Sequence, residues 1–434
     1  MNIQNNGIVS NLLKDVKIPR MFYAKQTFND QHIEVDQIRE AIYQELSKEE
    51  FSAKIRPGMS IAITAGSRGI RNVDLITKTI VDFVKYKGAD PFIVPAMGSH
   101  GGATAQGQLE ILAGYHITPE TMGCPIQSSM EVVYLGKSSL GKDVYMDANA
   151  YRADGTIISC RLKPHNAFRG KVESGPCKMM SVGLGKQHGA SIVHSDGMNH
   201  MADNIPTMAD VMIHNANILF ALPCIENAYD QTLMFEAILP ENIIQREEEL
   251  LKIAFDNMPR LIVGETDVLV VDEIGKNYSG TGVDPNITGT FSTPYASGGI
   301  KVQRTAFLNL SEESHGNALG CGLASTITKK IYEKMDLEKM YPNCITSTVL
   351  ASAMIPPIMA NDKEAIQLCI KTCNQIDQSK VRIVRIPNSL HIGTIMLSES
   401  YYQDVIDHQY ENLEAISDLI ELEFDREGNL ITTL

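Results

Sequence analysis

Short apolar runs alternate with amphipathic segments in the first third of the chain. Residues 60–64 form an apolar run with the length of a buried strand, and a glycine-containing turn follows at 65–72. Residues 73–87 then place apolar side chains at helical spacing, and residues 91–94 form a second short apolar run. This succession predicts a βαβ unit, which builds a parallel, doubly wound sheet.

The same reasoning continues the first α/β region and predicts a second one that starts near Arg260. Strands are predicted at 131–134, 144–146, 155–160, 218–222, 267–272, 301–308, 381–386, 394–397 and 420–424, and helices at 106–113, 208–215, 242–255, 323–335, 345–354 and 363–376. The helix-breaking step Met258-Pro259 favours a boundary between domains 1–258 and 259–434. We therefore expect two α/β domains with largely parallel, doubly wound sheets and an active site in the cleft between them.

Composition narrows the functional classes. The 434 residues are 44% hydrophobic and carry a net charge of −14, which argues against a nucleic-acid-binding protein because phosphate contacts need clustered Lys and Arg. No apolar stretch has the length of a membrane span, and the polar start lacks the apolar core of a secretory signal. The eight cysteines show no CxxC spacing, so we expect reduced thiols in a cytoplasmic protein rather than a zinc or iron–sulfur framework.

Side chains that can do chemistry follow several of the predicted strands. They are Arg68, His100, His165, Lys178 and His194, and the last three fall in a segment with five glycines. Each residue alone is more typical of a turn, a helix cap or a solvated surface than of catalysis. The carboxyl ends of parallel strands meet at one edge of a sheet, however, so we expect these loops to gather there.

These residues stand in a recognisable order and spacing. The motifs are Ser67-Arg68-Gly69, Gly98-Ser99-His100, His165 after a third strand, Ser174-Gly175-Pro176-Cys177-Lys178, and His194 sixteen residues after Lys178. In these motifs the chain resembles the nickel-dependent lactate racemase family, over most of residues 15–250 and more loosely beyond. Each motif is weak alone, and their joint order is what makes the resemblance specific.

The resemblance implies a nickel pincer nucleotide, the pyridinium-3-thioamide-5-thiocarboxylic acid mononucleotide of nickel. It implies covalent attachment of this cofactor to Lys178 and nickel coordination by His194. The acid/base pair falls on His100 and His165, and the residue that orients the substrate carboxylate falls on Arg68. On this basis the N-terminal domain carries the cofactor and the acid/base residues, and the C-terminal domain closes the substrate cleft.

The activity that the resemblance implies is that of an isomerase, a racemase or epimerase of a 2-hydroxy acid. The reaction proceeds by proton-coupled hydride transfer to and from the nickel pincer nucleotide. Two histidines suit the proton transfers because imidazole titrates near neutral pH, and a guanidinium can clamp a carboxylate with two hydrogen bonds. The implied partners are a small 2-hydroxy acid and the proteins that synthesise the cofactor, without nucleic acid or membrane.

The sequence also departs from the family's pattern. The segment between His165 and Lys178 is a few residues longer than usual, which reshapes the predicted pocket. No Gln-x-x-Lys motif follows the strand at 267–272, and Lys276 is the expected substitute for the substrate-binding lysine. The family's pocket Trp has no counterpart, because the chain contains no Trp. A sugar acid or a malate-like diacid is therefore as good a candidate substrate as lactate.

Two other interpretations of the same residues stay open. The glycines in Gly183-x-Gly185-x-x-x-Gly189 superficially suggest a dinucleotide-binding loop and a hydroxy-acid dehydrogenase, although their spacing differs from G-x-G-x-x-G. The other interpretation is an NAD-independent relative that binds an anionic molecule at the same loops without racemase activity.

Overall fold

The chain divides into two compact units in a computed structural model that describes residues 7–67 and 69–434. One unit consists of Asn29–Met258, and the other joins the residues up to Phe28 with Pro259–Leu434. The sequence analysis assigned all of residues 1–258 to one domain. The difference arises because the strand Met21–Gln26 completes the sheet of the other unit, a long-range pairing that local patterns do not encode.

The strands alternate with helices along most of the chain. In order, they are β1 Met21–Gln26, β2 Ser60–Ala65, β3 Asp90–Pro95, β4 Val132–Lys137, β5 Asp143–Asp147, β6 Gly155–Arg161, β7 Ile218–Glu226, β8 Thr232–Phe235, β9 Glu265–Ile274, β10 Lys301–Leu310, β11 Thr326–Thr328, β12 Ile358–Met359, β13 Ile383–Ile386, β14 Thr394–Ser398 and β15 Leu413–Ala415.

The α-helices range from single turns to four turns. In order, they are α1 Ile8–Leu13, α2 Ile38–Ser47, α3 Glu49–Ser52, α4 Val73–Tyr86, α5 Ala105–Gly114, α6 Pro119–Met122, α7 Ala148–Arg152, α8 Pro176–Lys178, α9 Lys186–His194, α10 Met201–Asn215, α11 Ile243–Asn257, α12 Pro285–Thr288, α13 Lys329–Lys334, α14 Leu337–Ser347, α15 Asp362–Thr372 and α16 Tyr402–Ile406. A π-helical turn, Met179–Leu184, joins α8 to α9.

The unit Asn29–Met258 is built on a five-stranded sheet of order β3-β2-β6-β7-β8. Its first four strands are parallel, and the edge strand β8 runs antiparallel to β7. Helices α2 and α4 bury their apolar faces in the core on this sheet, where Phe51 meets Phe220 edge-to-face at 5.5 Å. The predicted βαβ unit is therefore present as β2–α4–β3.

The other unit contains an eight-stranded sheet of order β12-β11-β10-β9-β13-β14-β1-β15. The strands from β12 to β13 are parallel, and β14, β1 and β15 add antiparallel pairs at one side. Helix α15 packs its apolar side chains in the core beside β9 and β10. Both units combine mostly parallel sheets with helices, which confirms the predicted α/β class.

Some predicted elements of the second half were wrong. Residues 323–335 were predicted as one helix, but they contain the short strand β11 followed by α13, because Thr326–Thr328 pairs with β10 and β12. The helix predicted at 345–354 lies earlier, as α14, and ends where Thr348 adopts a left-handed conformation. The predicted strand 420–424 is reduced to isolated bridges. No helix of the described residues could cross a membrane.

An ion pair between a buried arginine and a partly buried aspartate at the middle of the larger sheet gives a test of this architecture. Arg385, 2% exposed, binds both carboxylate oxygens of Asp272 at 2.8 Å. We expect Arg385→Ala to cost about 2 kcal/mol or more of unfolding free energy, because it removes two charged hydrogen bonds and leaves the partly buried carboxylate of Asp272 without this partner. Arg20→Ala, which removes an exposed pair with Glu399, should cost less than about 1 kcal/mol. Urea denaturation measures both, and equal costs would contradict the assignment of Arg385 to the sheet interior.

Candidate functional site

Three parallel strands deliver candidate side chains to one edge of the five-stranded sheet. Strand β2 is followed by Ser67, β3 leads into the loop that carries His100, and β6 leads into the loop that carries His165. Because β2 pairs in parallel with both β3 and β6, their carboxyl ends lie side by side. This edge is where open α/β sheets hold their ligands.

The segment that carries Lys178 and His194 is helical. Pro176 opens α8 at its first turn, a favourable position because proline lacks the N–H that a first turn leaves unpaired. Lys178 ends α8, and His194 is the last residue of α9. Sequence analysis treated this glycine-rich segment as a loop candidate. Its glycines instead serve close packing within a helical run, and π-helical turns of this kind are frequent at functional sites.

Two glycines bring this helical run against the β3 loop. A Cβ atom on Gly183 would lie 2.8 Å from the carbonyl oxygen of Ala96, and one on Gly98 would lie 3.2 Å from that of Val182. The N–H of Gly98 donates to the carbonyl of Gly183 at 3.1 Å. The backbone that leads to His100 therefore lies directly on the π-helical turn that follows Lys178.

His100 is held through both its ring and its backbone. Its Nδ1 is hydrogen-bonded to the hydroxyl of Ser67, which lies at the end of the neighbouring strand. The amide of Gln108 donates to the carbonyls of Gly98 and His100 at 3.1 and 3.2 Å. A hydroxyl can donate or accept, so Ser67 can keep this bond with either tautomer of His100.

A fully buried lysine supports the His100 loop. Lys186 has no exposed surface, and its Nζ donates to the carbonyl of Pro95 at 2.8 Å and to Oε1 of Gln108 at 2.6 Å. The carboxylate of Asp147, also fully buried, lies 3.6 Å from this Nζ. Burial lowers the pKa of Lys186 and raises that of Asp147, and their mutual attraction opposes both shifts. Since Lys186 begins α9, this network ties the helix that ends in His194 to the loop that carries His100.

The backbone of His165 is held by a neighbouring carboxylate. Its N–H donates to Glu173 at 2.6 Å. The imidazole stacks on the ring of Phe168 with centroids 4.4 Å apart, and its Nδ1 accepts a hydrogen bond from the N–H of Ala167 at 3.1 Å. A backbone N–H can only donate, so this bond favours the neutral tautomer with the proton on Nε2.

The pKa values of His165 and His194 are both lowered. Burial lowers the pKa of His165 well below its usual value, and the positive charge of Lys178 lowers it further. Burial, followed by the charge of Lys178, lowers the pKa of His194 to about 4. Both imidazoles are therefore neutral at pH 7, the form in which a histidine can bind a metal or accept a proton.

One nitrogen of His194 has an unusual environment. Its Nδ1 is buried and has no hydrogen-bond partner among the described residues. An unsatisfied buried polar atom is costly in a folded protein and calls for a specific explanation, such as a role in binding a ligand. Among the described residues, no group of three or more His, Cys, Asp or Glu side chains could hold a metal ion.

A buried glutamate supports the start of the helical run. Glu247 on α11 is fully buried and accepts a hydrogen bond from the N–H of Cys177 at 2.8 Å. A Cβ on Gly175 would lie 2.5 Å from its Oε1, so only glycine fits beside this carboxyl. Burial raises the pKa of Glu247 to about 7. The position of Lys178, one residue after Cys177, thus depends on a glutamate of a distant helix.

The remaining predicted residues contribute less to this picture. Arg68 lies outside the described residues. Lys276 belongs to the other unit, where its Nζ donates to the carbonyl of Gly280 at 2.6 Å. His188 and His200, which flank His194 in the sequence, are exposed.

Sequence reasoning missed Glu173, Lys186 and Glu247. Each is a charged residue that is common on protein surfaces, and its importance follows from burial alone. Only Glu247 left a trace in the sequence, because it lies on the side of its helix that faces the core with Leu250, Leu251 and Ala254.

Comparison with known proteins bears on this site. Residues 7–203 match the family model of the lactate racemase N-terminal domain. The resemblance to the lactate racemase family is confirmed over these residues. The matched range includes Arg68, His100, His165, Lys178 and His194, and it ends before Glu247.

The other comparisons give more distant likenesses. A solved structure similar to this chain is that of the lactate racemase apoprotein from Thermoanaerobacterium thermosaccharolyticum, with 12% sequence identity and a TM-score of 0.49. The alignment covers 84% of this chain and 93% of that chain. No curated protein sequence matches the chain.

The raised pKa of Glu247 predicts a pH dependence of stability. The unfolded chain ionises this carboxyl near its ordinary pKa of 4.5, whereas the folded chain does so at about 7. Stability is therefore lost as the pH rises between these values, by up to about 3 kcal/mol. Glu247→Gln has no carboxyl at this position and does not lose this stability. The difference between its unfolding free energy and that of the parent should therefore increase, in favour of the variant, from about pH 4.5 to about pH 7.5. Urea denaturation at both pH values measures it, and a constant difference would contradict the shift.

Proposed function

We propose that the protein is an isomerase, a racemase or epimerase of a 2-hydroxy acid that uses a nickel pincer nucleotide. The observation that carries the proposal is the packing of the helical run that follows Lys178 onto the loop that carries His100, where the N–H of Gly98 donates to the carbonyl of Gly183 at 3.1 Å. The buried Nδ1 of His194, which has no hydrogen-bond partner among the described residues, supports it. The lactate racemase match over residues 7–203 supports the same class of activity.

The residues present suit the proposed cofactor. Lys178 provides an amine for covalent attachment at the end of a short helix, and His194 provides a neutral imidazole with a buried, unpaired Nδ1. When bound, this cofactor would supply the acceptor for the hydrogen on C2 of the substrate.

The two other histidines would handle the proton of the substrate hydroxyl. Racemisation needs one acid/base group for each enantiomer, and His100 and His165 stand on neighbouring loops. His100 can exchange a proton at Nε2 without losing its bond to Ser67. Nε2 of His165 carries a hydrogen while Nδ1 accepts from Ala167, so His165 can accept a proton at Nε2 only after this bond is given up. His100 is therefore our candidate for the first proton acceptor.

Substrate binding is assigned from the sequence alone. Arg68 follows Ser67 and is our candidate for clamping the substrate carboxylate with two hydrogen bonds. Lys276 is our candidate for a second substrate contact. A small 2-hydroxy acid and the proteins that make the cofactor are the proposed partners. The eight unpaired, buried cysteines agree with the expected cytoplasmic location, which stays a prediction.

The dehydrogenase interpretation is less well supported. A dinucleotide loop uses glycines in the turn between a strand and a helix, where free N–H groups face the phosphates. Here Gly183 lies in the π-helical turn and Gly189 lies within α9. The interpretation as an anion-binding relative without racemase activity shares the same loops, and metal analysis separates the two.

Metal and mass analysis test the cofactor assignment. Protein purified from cells that make the cofactor should contain nickel and carry added mass on Lys178. We expect His194→Ala to lose nickel, whereas His200→Ala, which changes an exposed histidine nearby, should retain it. Elemental analysis and peptide mass spectrometry provide the measurements. Parent protein without nickel and with an unmodified Lys178 would refute the proposal.

Turnover tests the acid/base assignment. We expect His100→Gln and His165→Gln each to keep nickel and the modified Lys178 but to lose about 10²-fold to 10⁴-fold in kcat, the usual contribution of a positioned acid or base. Enantiopure lactate, malate and sugar acids, followed by chiral analysis, give the rates. Loss of the cofactor from both variants would contradict the assigned roles and indicate cofactor-binding ones.

A further inference from the structure

The residues between His165 and Lys178 form a closed loop. Lys163 and Ser174 pair across its base through two backbone hydrogen bonds, of 2.9 and 3.3 Å. His165 lies just inside this base. The loop therefore carries a proposed acid/base group.

A buried carboxylate lies at the centre of this loop. Glu173 is 1% exposed and accepts hydrogen bonds from the N–H groups of His165 and Gly170, at 2.6 and 3.2 Å. The guanidinium of Arg169 lies 3.3 Å from the same carboxylate. Burial raises the pKa of Glu173, whereas these donors and the charge of Arg169 lower it. The carboxylate of Glu173 thus contacts His165, Gly170 and Arg169 of the same loop.

Arg169 holds the loop from the other side. Its Nη1 donates to the carbonyl of His165 at 2.6 Å and to that of Phe168 at 3.2 Å. The guanidinium also lies over the ring of Phe255, 5.3 Å from its centroid. Both carbonyls belong to the loop that carries Arg169. Glu173 accepts from the N–H of His165 and Arg169 donates to its carbonyl, so the two side chains together hold both backbone polar groups of His165.

We propose that Arg169 and Glu173 form a positioning pair that sets the place and orientation of His165. The inference rests on the proposed acid/base function of His165. The pair acts through geometry: Glu173 fixes the N–H of His165, Arg169 fixes its carbonyl, and the imidazole between them is left to stack on Phe168 and accept from Ala167.

Kinetics of three variants test the pair. Arg169→Met should keep nickel and the modified Lys178 but lower kcat about 10-fold to 100-fold with little change in KM, because misplacing a reacting group by about 1 Å has an effect of this size. Arg169→Lys should recover only part of the rate, since an ammonium cannot reach the carboxylate and two carbonyls in one plane. Lys171→Met, which changes an exposed lysine of the same loop, is the control and should leave kcat unchanged.

A spectroscopic readout separates this inference from the proposed activity. In the cofactor-free parent chain, we expect slow amide hydrogen exchange at His165 and Gly170, and a side-chain ¹⁵N spectrum of His165 with Nδ1 as a hydrogen-bond acceptor. Glu173→Gln keeps an acceptor oxygen but loses the charge that holds Arg169, so it should speed this exchange and alter the imidazole spectrum. Arg169→Met should do the same, while the thermal midpoint reports whether each variant is folded.

The outcomes are distinguishable. If the parent holoenzyme turns over none of the acids, the proposed function fails, and the exchange and ¹⁵N measurements still decide whether the pair holds His165. If the parent is active and a folded Arg169→Met variant keeps both the parent kcat and slow exchange, the positioning role is overturned. Faster exchange with an unchanged kcat and an unchanged imidazole spectrum would also overturn it. A lower kcat with an altered imidazole spectrum supports it.

Discussion

The arrangement of this site depends on charged groups that the protein has removed from water. Glu173, Lys186 and Glu247 each have no more than 1% of their surface exposed, and each makes at least one hydrogen bond to a backbone N–H or carbonyl group. A buried ionisable group is costly unless it is hydrogen-bonded, so these bonds favour one conformation of the segment around each group. The three segments are those that carry His165, His194 and Lys178. Charge burial therefore serves here to specify position.

The two proposed acid/base histidines are held in different ways. His100 is bonded to a hydroxyl, which can reverse its role as donor and acceptor when the ring changes its proton. His165 is bonded to a backbone amide, which cannot. A racemase must return protons to substrates of both configurations, but nothing requires the two faces to be chemically equal. In this protein the two imidazoles differ in their hydrogen-bond partners, which are a hydroxyl for His100 and a backbone amide for His165.

Much of the fold was predictable because apolar periodicity is local. The runs at 60–64 and 155–160 became β2 and β6, and the helix at 73–87 became α4 with nearly the same bounds. The pairing of β1 with β14 was not predictable, because a single edge strand carries no signal for a partner far away in the sequence. Similarly, motif order could identify Lys178 and His194 as candidates, but it could not show that a helix joins them. Three glycines in eleven residues, from 175 to 185, normally argue against a helix.

The π-helical turn Met179–Leu184 has a consequence for how this segment could change over time. A π-turn accommodates one residue more than an α-helical turn, and successive residues of an α-helix are rotated by about 100° around its axis. Loss of one residue from the turn would therefore reorient the chain that leaves it. Lys186, at the start of α9, has a left-handed φ of 54°, so the turn and α9 are not one continuous helix. The position of His194 relative to Lys178 thus depends on the number of residues between them as well as on which residues they are.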